Sequence, residues 1–146
     1  MDQEYLSLDE VPYGNILLAT RTVLEQRLPF FPKGACQYTG RLLSSLRPII
    51  TLDEVAGVFQ HPEVKGTKNH AWAYDRERKL YIDLTLDQFL ENAPKVAILQ
   101  DSTSLLQRKD SLTAGVNSVP SEIYFTEETL VRLINAIADE NDTLLG

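Results

Sequence analysis

Cysteine is nearly absent from this chain. Cys36 is the only cysteine among 146 residues, so no disulfide can form within the chain. A single domain over residues 1–146 is long enough to bury a core without disulfides or metals. One unpaired thiol is typical of a reducing compartment, where it stays reactive.

Histidine is also scarce, which bears on metal binding. Only His61 and His70 accompany Cys36 as soft ligands, and His61 stands directly before Pro62. Structural zinc sites use four cysteine or histidine ligands. The sequence therefore predicts no metal and no other cofactor.

Long apolar runs and excess positive charge are missing as well. No stretch approaches the ~20 apolar residues that span a bilayer, and residues 1–4 lack the basic and apolar character of a secretory signal. The formal net charge of −7 disfavours nucleic acids and anionic membranes as partners. We expect a chain made in the cytoplasm, with export by a secretion system that uses another signal as the alternative.

The single cysteine occurs where a loop turns into a predicted helix. Pro32 and Gly34 precede Cys36, and apolar residues then recur at helical spacing. At a helix N-terminus the free backbone N–H groups and the helix dipole favour a thiolate. The alternative is a small apolar residue in the core, the commoner fate of a lone cysteine.

His70 begins a segment that is typical of a strand with two different faces. His70, Trp72 and Tyr74 alternate with small residues, and a charged run precedes a returning strand over residues 80–84. A four-residue loop over residues 75–78 would place His70 opposite Asp83, close enough for the carboxylate to orient the imidazole. The alternatives are a partly buried strand histidine and a strand-end cap at Asp83. A cysteine, a histidine and an aspartate in this arrangement have the residue types of a nucleophile, base and orienting group.

The segments around these three residues resemble the papain-like cysteine enzymes, in particular their transglutaminase-like branch. They are also similar to the papain-like effector proteases and deamidases that bacteria deliver into hosts. The resemblance covers residues 34–89 and depends on three short runs: Gly34-Ala35-Cys36, His70-Ala71-Trp72 and Tyr81-Ile82-Asp83-Leu84-Thr85-Leu86-Asp87-Gln88-Phe89. Members often have an aromatic or small residue after the cysteine. Gln37 follows it here, which leaves the subfamily open.

The resemblance implies a role for each residue of the site. Cys36 would be the nucleophile, His70 the general base and acid, and Asp83 the group that orients His70. The backbone N–H of Cys36 would bind the oxyanion, with the side chain of Gln26 or Gln37 as a further donor. The candidate lining of a substrate pocket comprises Trp72 and Tyr81.

The remaining pattern predicts helices and strands around this site. Helices are expected over residues 15–28 and from residue 126, strands over residues 95–99 and 123–125, and a frayed N-terminus and acidic tail over residues 139–146. Residues 51–59 have capping-box spacing and read as a short helix, although a strand is possible. The polar residues 100–118 are expected to form a flexible lid or specificity loop.

Together these patterns predict an α+β domain in which helices pack on a small antiparallel sheet. The expected activity is that of a thiol-dependent amide hydrolase or acyltransferase: a cysteine peptidase, a glutamine deamidase or a transglutaminase-like enzyme acting on a protein or peptide. The alternative is a non-catalytic binding module, such as an adaptor or immunity-type protein, with an unreactive Cys36.

Overall fold

The middle of the chain forms a five-stranded antiparallel sheet. The structure is a computed structural model, and it describes residues 5–47, 49–109 and 126–145. The strands are β1 (Asp53–His61), β2 (Val64–Asp75), β3 (Leu80–Asp83), β4 (Ala97–Gln100) and β5 (Leu106–Arg108). Their order in the sheet is β4-β3-β2-β1-β5. The first four strands form a meander, and β5 returns to pair with β1.

Three α-helices lie in the described ranges. They are α1 (Gly14–Arg27), α2 (Cys36–Ser44) and α3 (Glu127–Leu145), with short 3₁₀ helices at Leu8–Glu10 and Leu86–Gln88. The α+β class with helices on a small sheet is therefore confirmed. None of the helices in these ranges combines the length and apolar character needed to cross a bilayer.

The two faces of the sheet bury two different clusters of side chains. One cluster joins apolar residues of all three helices to Ala73, Leu80 and Ile82, and the other contains Trp72 and Tyr81. Leu80 and Ile82 thus lie on one face of β3 and Tyr81 on the other, as predicted, because successive side chains of a strand point to opposite sides. The small Ala73 lies on the helix side, where it leaves room for helices to approach the strand.

The hairpin between β2 and β3 has a different register from the predicted one. Asp75 pairs with Leu80 and Tyr74 with Tyr81, so the loop covers residues 76–79 and the register moves by two residues. Asp75 was expected in a solvated turn, but it is buried and accepts hydrogen bonds from the Tyr13 hydroxyl at 2.5 Å and the Arg78 backbone N–H at 2.9 Å. A shift of two residues keeps every side chain on its predicted face.

The helix predicted over residues 51–59 is wrong, and the strand left open as the alternative is present, because residues 53–59 belong to β1. Val55 and Phe59 are buried while the residues between them alternate in exposure, which is the two-residue period of a strand. Pairing with β2 on one side and β5 on the other outweighs the local capping-box signal.

The other predicted elements agree with the structure to different degrees. The N-terminal helix and the strand over residues 95–99 are present as α1 and β4. Part of the predicted loop over residues 100–118 forms β5, and the acidic tail is helical as far as Leu145 instead of frayed. Residues 110–118, the predicted strand over residues 123–125 and the predicted fraying of residues 1–4 lie outside the described residues.

Gly57 provides a test of how closely the central strands pack. A Cβ atom at this position would lie 2.1 Å from the Gln107 carbonyl oxygen and 2.7 Å from Cη2 of Trp72. We therefore expect Gly57→Ala to lower the free energy of unfolding by about 1–3 kcal/mol, as overpacking does, measured by urea titration. Gly40→Ala is the control, because its Cβ would meet its nearest neighbour at an ordinary 3.4 Å. Equal stability of the two variants would contradict this packing.

Candidate active site

His70 and Asp83 form a buried pair on neighbouring strands. Nε2 of His70 lies 2.7 Å from Oδ2 of Asp83, and the two side chains are 0% and 1% exposed. In the observed register the residues are diagonal neighbours, not directly opposed as predicted. Diagonal neighbours on one face remain within reach of long side chains, so the predicted contact is made despite the register shift.

The second carboxylate oxygen of Asp83 is held by the chain that follows it. Oδ1 accepts hydrogen bonds from the backbone N–H of Thr85 at 2.9 Å and from its hydroxyl at 3.2 Å. Asp83 thus both caps the end of β3 and orients the imidazole. With both oxygens bonded, the carboxylate has a single orientation toward His70.

Aromatic rings enclose the imidazole of His70. The Phe89 ring stands edge-on to it with the centroids 5.0 Å apart, and the Trp72 ring lies at 5.7 Å. This packing fixes the plane of the imidazole.

Cys36 is the first residue of α2, as the sequence predicts. Its thiol is free and half-buried, and no side chain caps the N-terminus of the helix. The helix dipole at this end favours a negative charge. Cys36 therefore stands at the positive end of the α2 dipole.

The imidazole of His70 lies between the Asp83 carboxylate and the Cys36 side chain. Nδ1 has no hydrogen bond of standard geometry among the described residues, which leaves this nitrogen for Cys36. Burial disfavours the charged ring, but the Asp83 charge and hydrogen bond, followed by the interactions with Cys36, raise the pKa of His70 to about 10. The surroundings therefore favour an imidazolium facing Cys36.

Helix α2 closes over the strands at this point. Cys36, Trp72 and Asp83 all line a crevice between the helix and the sheet, and it is too narrow to hold a water molecule. His70 is only 1% exposed. In this conformation Cys36 is thus the only member of the trio with appreciable exposure.

No protein-family model matches the chain, and neither does any curated protein or solved structure.

Three of the other predicted site residues are not arranged as expected. Gln26 is exposed and lines a separate groove between α1 and α3, so the structure does not bring it to the Cys36 crevice. Trp72 and Tyr81 are 2% and 6% exposed and pack edge-on with ring centroids 5.3 Å apart. They are core residues here rather than the lining of an open pocket. Gln37 is half-buried in the first turn of α2, next to Cys36.

Two residues near the site were missed in the sequence. Arg21 of α1 is only 4% exposed and bonds to the Leu84 carbonyl oxygen at 2.8 Å, directly after Asp83. Gln88 accepts a hydrogen bond from the backbone N–H of Gly34 at 3.2 Å, two residues before Cys36. No local pattern marks either residue, since an arginine on a helix and a glutamine in a polar turn are ordinarily surface residues.

Because the pKa of His70 is raised on folding, the free energy of unfolding should depend on pH. A group whose pKa is raised on folding stabilises the protein fully below its unfolded pKa, here about 6.5, and this contribution is lost as the pH rises through about 10. Each unit of the shift corresponds to about 1.4 kcal/mol. We expect the stability difference between the wild type and His70→Gln to fall between pH 6.5 and 10, measured by urea titration. Curves that run parallel across this window would contradict the ion pair, and His61→Gln serves as the control.

Proposed function

We propose that the protein is a thiol-dependent amide hydrolase or acyltransferase that uses Cys36, His70 and Asp83. The observation that carries the proposal is the buried 2.7 Å contact between His70 and Asp83, with the other imidazole nitrogen left for Cys36. The resemblance to papain-like and transglutaminase-like enzymes supports the same assignment. The substrate would be an amide or thioester group of a protein or peptide.

The chemistry follows from the placement of the protons. Asp83 accepts a hydrogen bond from Nε2–H, so Nδ1 is the nitrogen that takes the proton of the Cys36 thiol, which leaves a thiolate beside an imidazolium. The thiolate attacks the carbonyl carbon, forming a C–S bond, and the C–N or C–S bond to the leaving group breaks. The leaving group takes the proton from His70.

The resulting thioester on Cys36 is resolved by water or by an amine. His70 takes a proton from this second nucleophile, and the Cys36 thiolate is released. The backbone N–H at the start of α2 is the candidate donor to the oxyanion in both steps. A peptidase, a deamidase and a transglutaminase share this intermediate and differ in the leaving group and the acceptor.

Formation of this thioester can be tested before the natural substrate is known. With p-nitrophenyl acetate as the acyl donor, we expect a burst of p-nitrophenol close to one equivalent and an acetyl adduct on Cys36, detected by mass spectrometry. A primary alkylamine, at a concentration that does not itself cleave p-nitrophenyl acetate, should speed turnover if the enzyme transfers acyl groups to amines. Turnover that is unaffected by the amine would indicate a hydrolase.

Two variants serve as controls for this experiment. Cys36→Ala should give neither the burst nor the adduct, because it removes the only thiol in the chain. His61→Gln should behave as the wild type, because His61 interacts with the nearby Glu63 backbone and not with the site. A wild type without an adduct would overturn the proposal.

A second candidate function is favoured by the closed crevice. His70 and Asp83 are about 1% exposed and the crevice beside Cys36 has no room for water, so the fold also suits a binding module in which the trio only stabilises the core. That function predicts slow labelling of Cys36 and a similar rate in variants of His70. The rate at which iodoacetamide labels Cys36 in the wild type and in His70→Gln separates the two candidates.

A further inference from the structure

Gln88 links the chain that follows Asp83 to the chain that precedes Cys36. Its Oε1 accepts a hydrogen bond from the backbone N–H of Gly34 at 3.2 Å, across 54 positions of the sequence. Its Nε2 is enclosed by protein and has no hydrogen-bond partner among the described residues. The Gln88 amide is therefore held between the two segments.

The segment that carries Gln88 is itself fixed against the site. Asp87, directly before it, receives two hydrogen bonds from the buried Arg21, at 2.9 and 2.8 Å. Phe89, directly after it, packs edge-on against the His70 ring. Gln88 thus extends from a turn whose position is tied to the His70–Asp83 pair.

The loop before Cys36 is held by turn hydrogen bonds and by the packing of Phe31, but Gly34 itself has no side chain to pack. Gly34 is exposed and has a φ of +71°, a conformation that favours glycine, and a Cβ there would meet nothing within 4 Å. Phe30 in the same loop is 80% exposed. Hydrogen bonds within the loop shape the turn, from the Lys33 N–H to the Phe30 carbonyl oxygen at 2.8 Å and from the Ala35 N–H to the Pro32 carbonyl oxygen at 3.2 Å. The hydrogen bond from the Gly34 N–H to Gln88 ties that turn to the segment that follows Asp83.

We propose that Gln88 is a positioning residue, which holds the Gly34 turn so that the Cys36 thiol faces His70. The inference rests on the proposed function and deepens it, since it names what sets the distance between nucleophile and base. The acceptor oxygen carries the effect. A side chain that keeps this oxygen should keep the alignment, and one of the same size without it should lose the alignment.

Gln88→Met and Gln88→Glu separate these two cases. In Gln88→Met we expect the Gly34 amide to exchange its hydrogen faster, measured by NMR, and iodoacetamide to label Cys36 roughly threefold to tenfold more slowly, because small misplacements of reacting groups are costly. Gln88→Glu retains an acceptor oxygen and should remain within about threefold of the wild type in both measurements. Because the Gly34 backbone is exposed, its N–H can bond to water instead, and the melting temperature should change little.

Gln60→Met is the matched control. Gln60 is also half-buried and bonds to a backbone group, the Ser104 carbonyl oxygen at 3.4 Å, but it lies on β1 away from the crevice. Its labelling rate should equal that of the wild type. Unchanged labelling in Gln88→Met, or slow labelling in both Gln88 variants, would overturn the positioning role. If the wild type labels no faster than His70→Gln, the proposed function fails and this inference fails with it.

Discussion

Replacing His70 by glutamine is expected to slow alkylation of Cys36 by iodoacetamide at pH 7 by about tenfold or more. The thiolate is the reactive species, and an adjacent base increases the fraction of thiol in that form. His70 has one nitrogen bonded to Asp83 at 2.7 Å and the other left for Cys36, so its removal takes away the base while the thiol stays in place. The measurement is the rate of mass gain on the intact protein.

Glutamine is preferred to alanine at this position because of burial. His70→Ala would leave the Asp83 carboxylate buried without its partner, which costs about 3–5 kcal/mol in comparable cases. A loss of folding would then be confused with a loss of reactivity. The glutamine amide can still donate a hydrogen bond to Asp83, so His70→Gln tests the base more cleanly.

Two further variants serve as comparisons for the labelling rate of His70→Gln. His61→Gln changes the other histidine, which accepts a hydrogen bond from the Glu63 backbone N–H at 3.0 Å, and it should label at the wild-type rate. Asp83→Asn should label at an intermediate rate, because it misorients the imidazole without removing it. Labelling of the wild type no faster than that of His70→Gln would show that His70 does not activate Cys36, and the enzyme assignment would be withdrawn.

Arg21→Leu is expected to lower the free energy of unfolding by about 3 kcal/mol. Removing one partner of a buried ion pair leaves the other charge and its neighbours without compensation. Arg21 bonds to both carboxylate oxygens of Asp87 and to two backbone carbonyl oxygens, those of Leu84 and Lys95. Its guanidinium also lies 4.8 Å from the centre of the Phe31 ring, in the loop that leads to Cys36.

The matched control is Arg132→Leu on α3. Arg132 forms an ion pair with Glu128 one turn away, but both side chains are more than 60% exposed, at 66% and 73%. An exposed pair of this kind contributes about 0.3–0.5 kcal/mol. Urea titration of both variants measures the contrast, and an equally small effect at Arg21 would show that the buried network does not hold α1 to the turn after Asp83.

The pattern of side chains along the sequence was sufficient to predict that His70 and Asp83 lie on the same face of the sheet. The alternation of His70, Trp72 and Tyr74 with alanines, followed by Asp83 on the returning strand, placed the histidine and the aspartate on one face. The loop-to-helix transition likewise placed Cys36 at the start of α2. These features depend on two local periods, 2.0 in strands and 3.6 in helices, which the sequence displays directly.

The pairing of the strands was less accessible from the sequence. The observed hairpin register differs from the predicted one by two residues. Asp75 is part of the strand and accepts hydrogen bonds from the Tyr13 hydroxyl and the Arg78 backbone N–H, and Tyr13 is 62 positions away. Residues 51–59 have the capping-box spacing of a helix start. Residues 53–59 nevertheless belong to β1, because their backbone groups form hydrogen bonds with β2 on one side and β5 on the other. Contacts between distant residues outweigh local preference in both cases.

The sequence by itself determined the α+β class, the three candidate residues and the face that His70 and Asp83 share. Only the tertiary structure decided that the pair is buried, that Gln26 lies in another groove, and that Arg21 and Gln88 hold the surrounding segments. The physical reason is that burial and hydrogen bonding between segments depend on how helices and strands pack. A local pattern specifies which way a side chain points, and packing specifies what it meets.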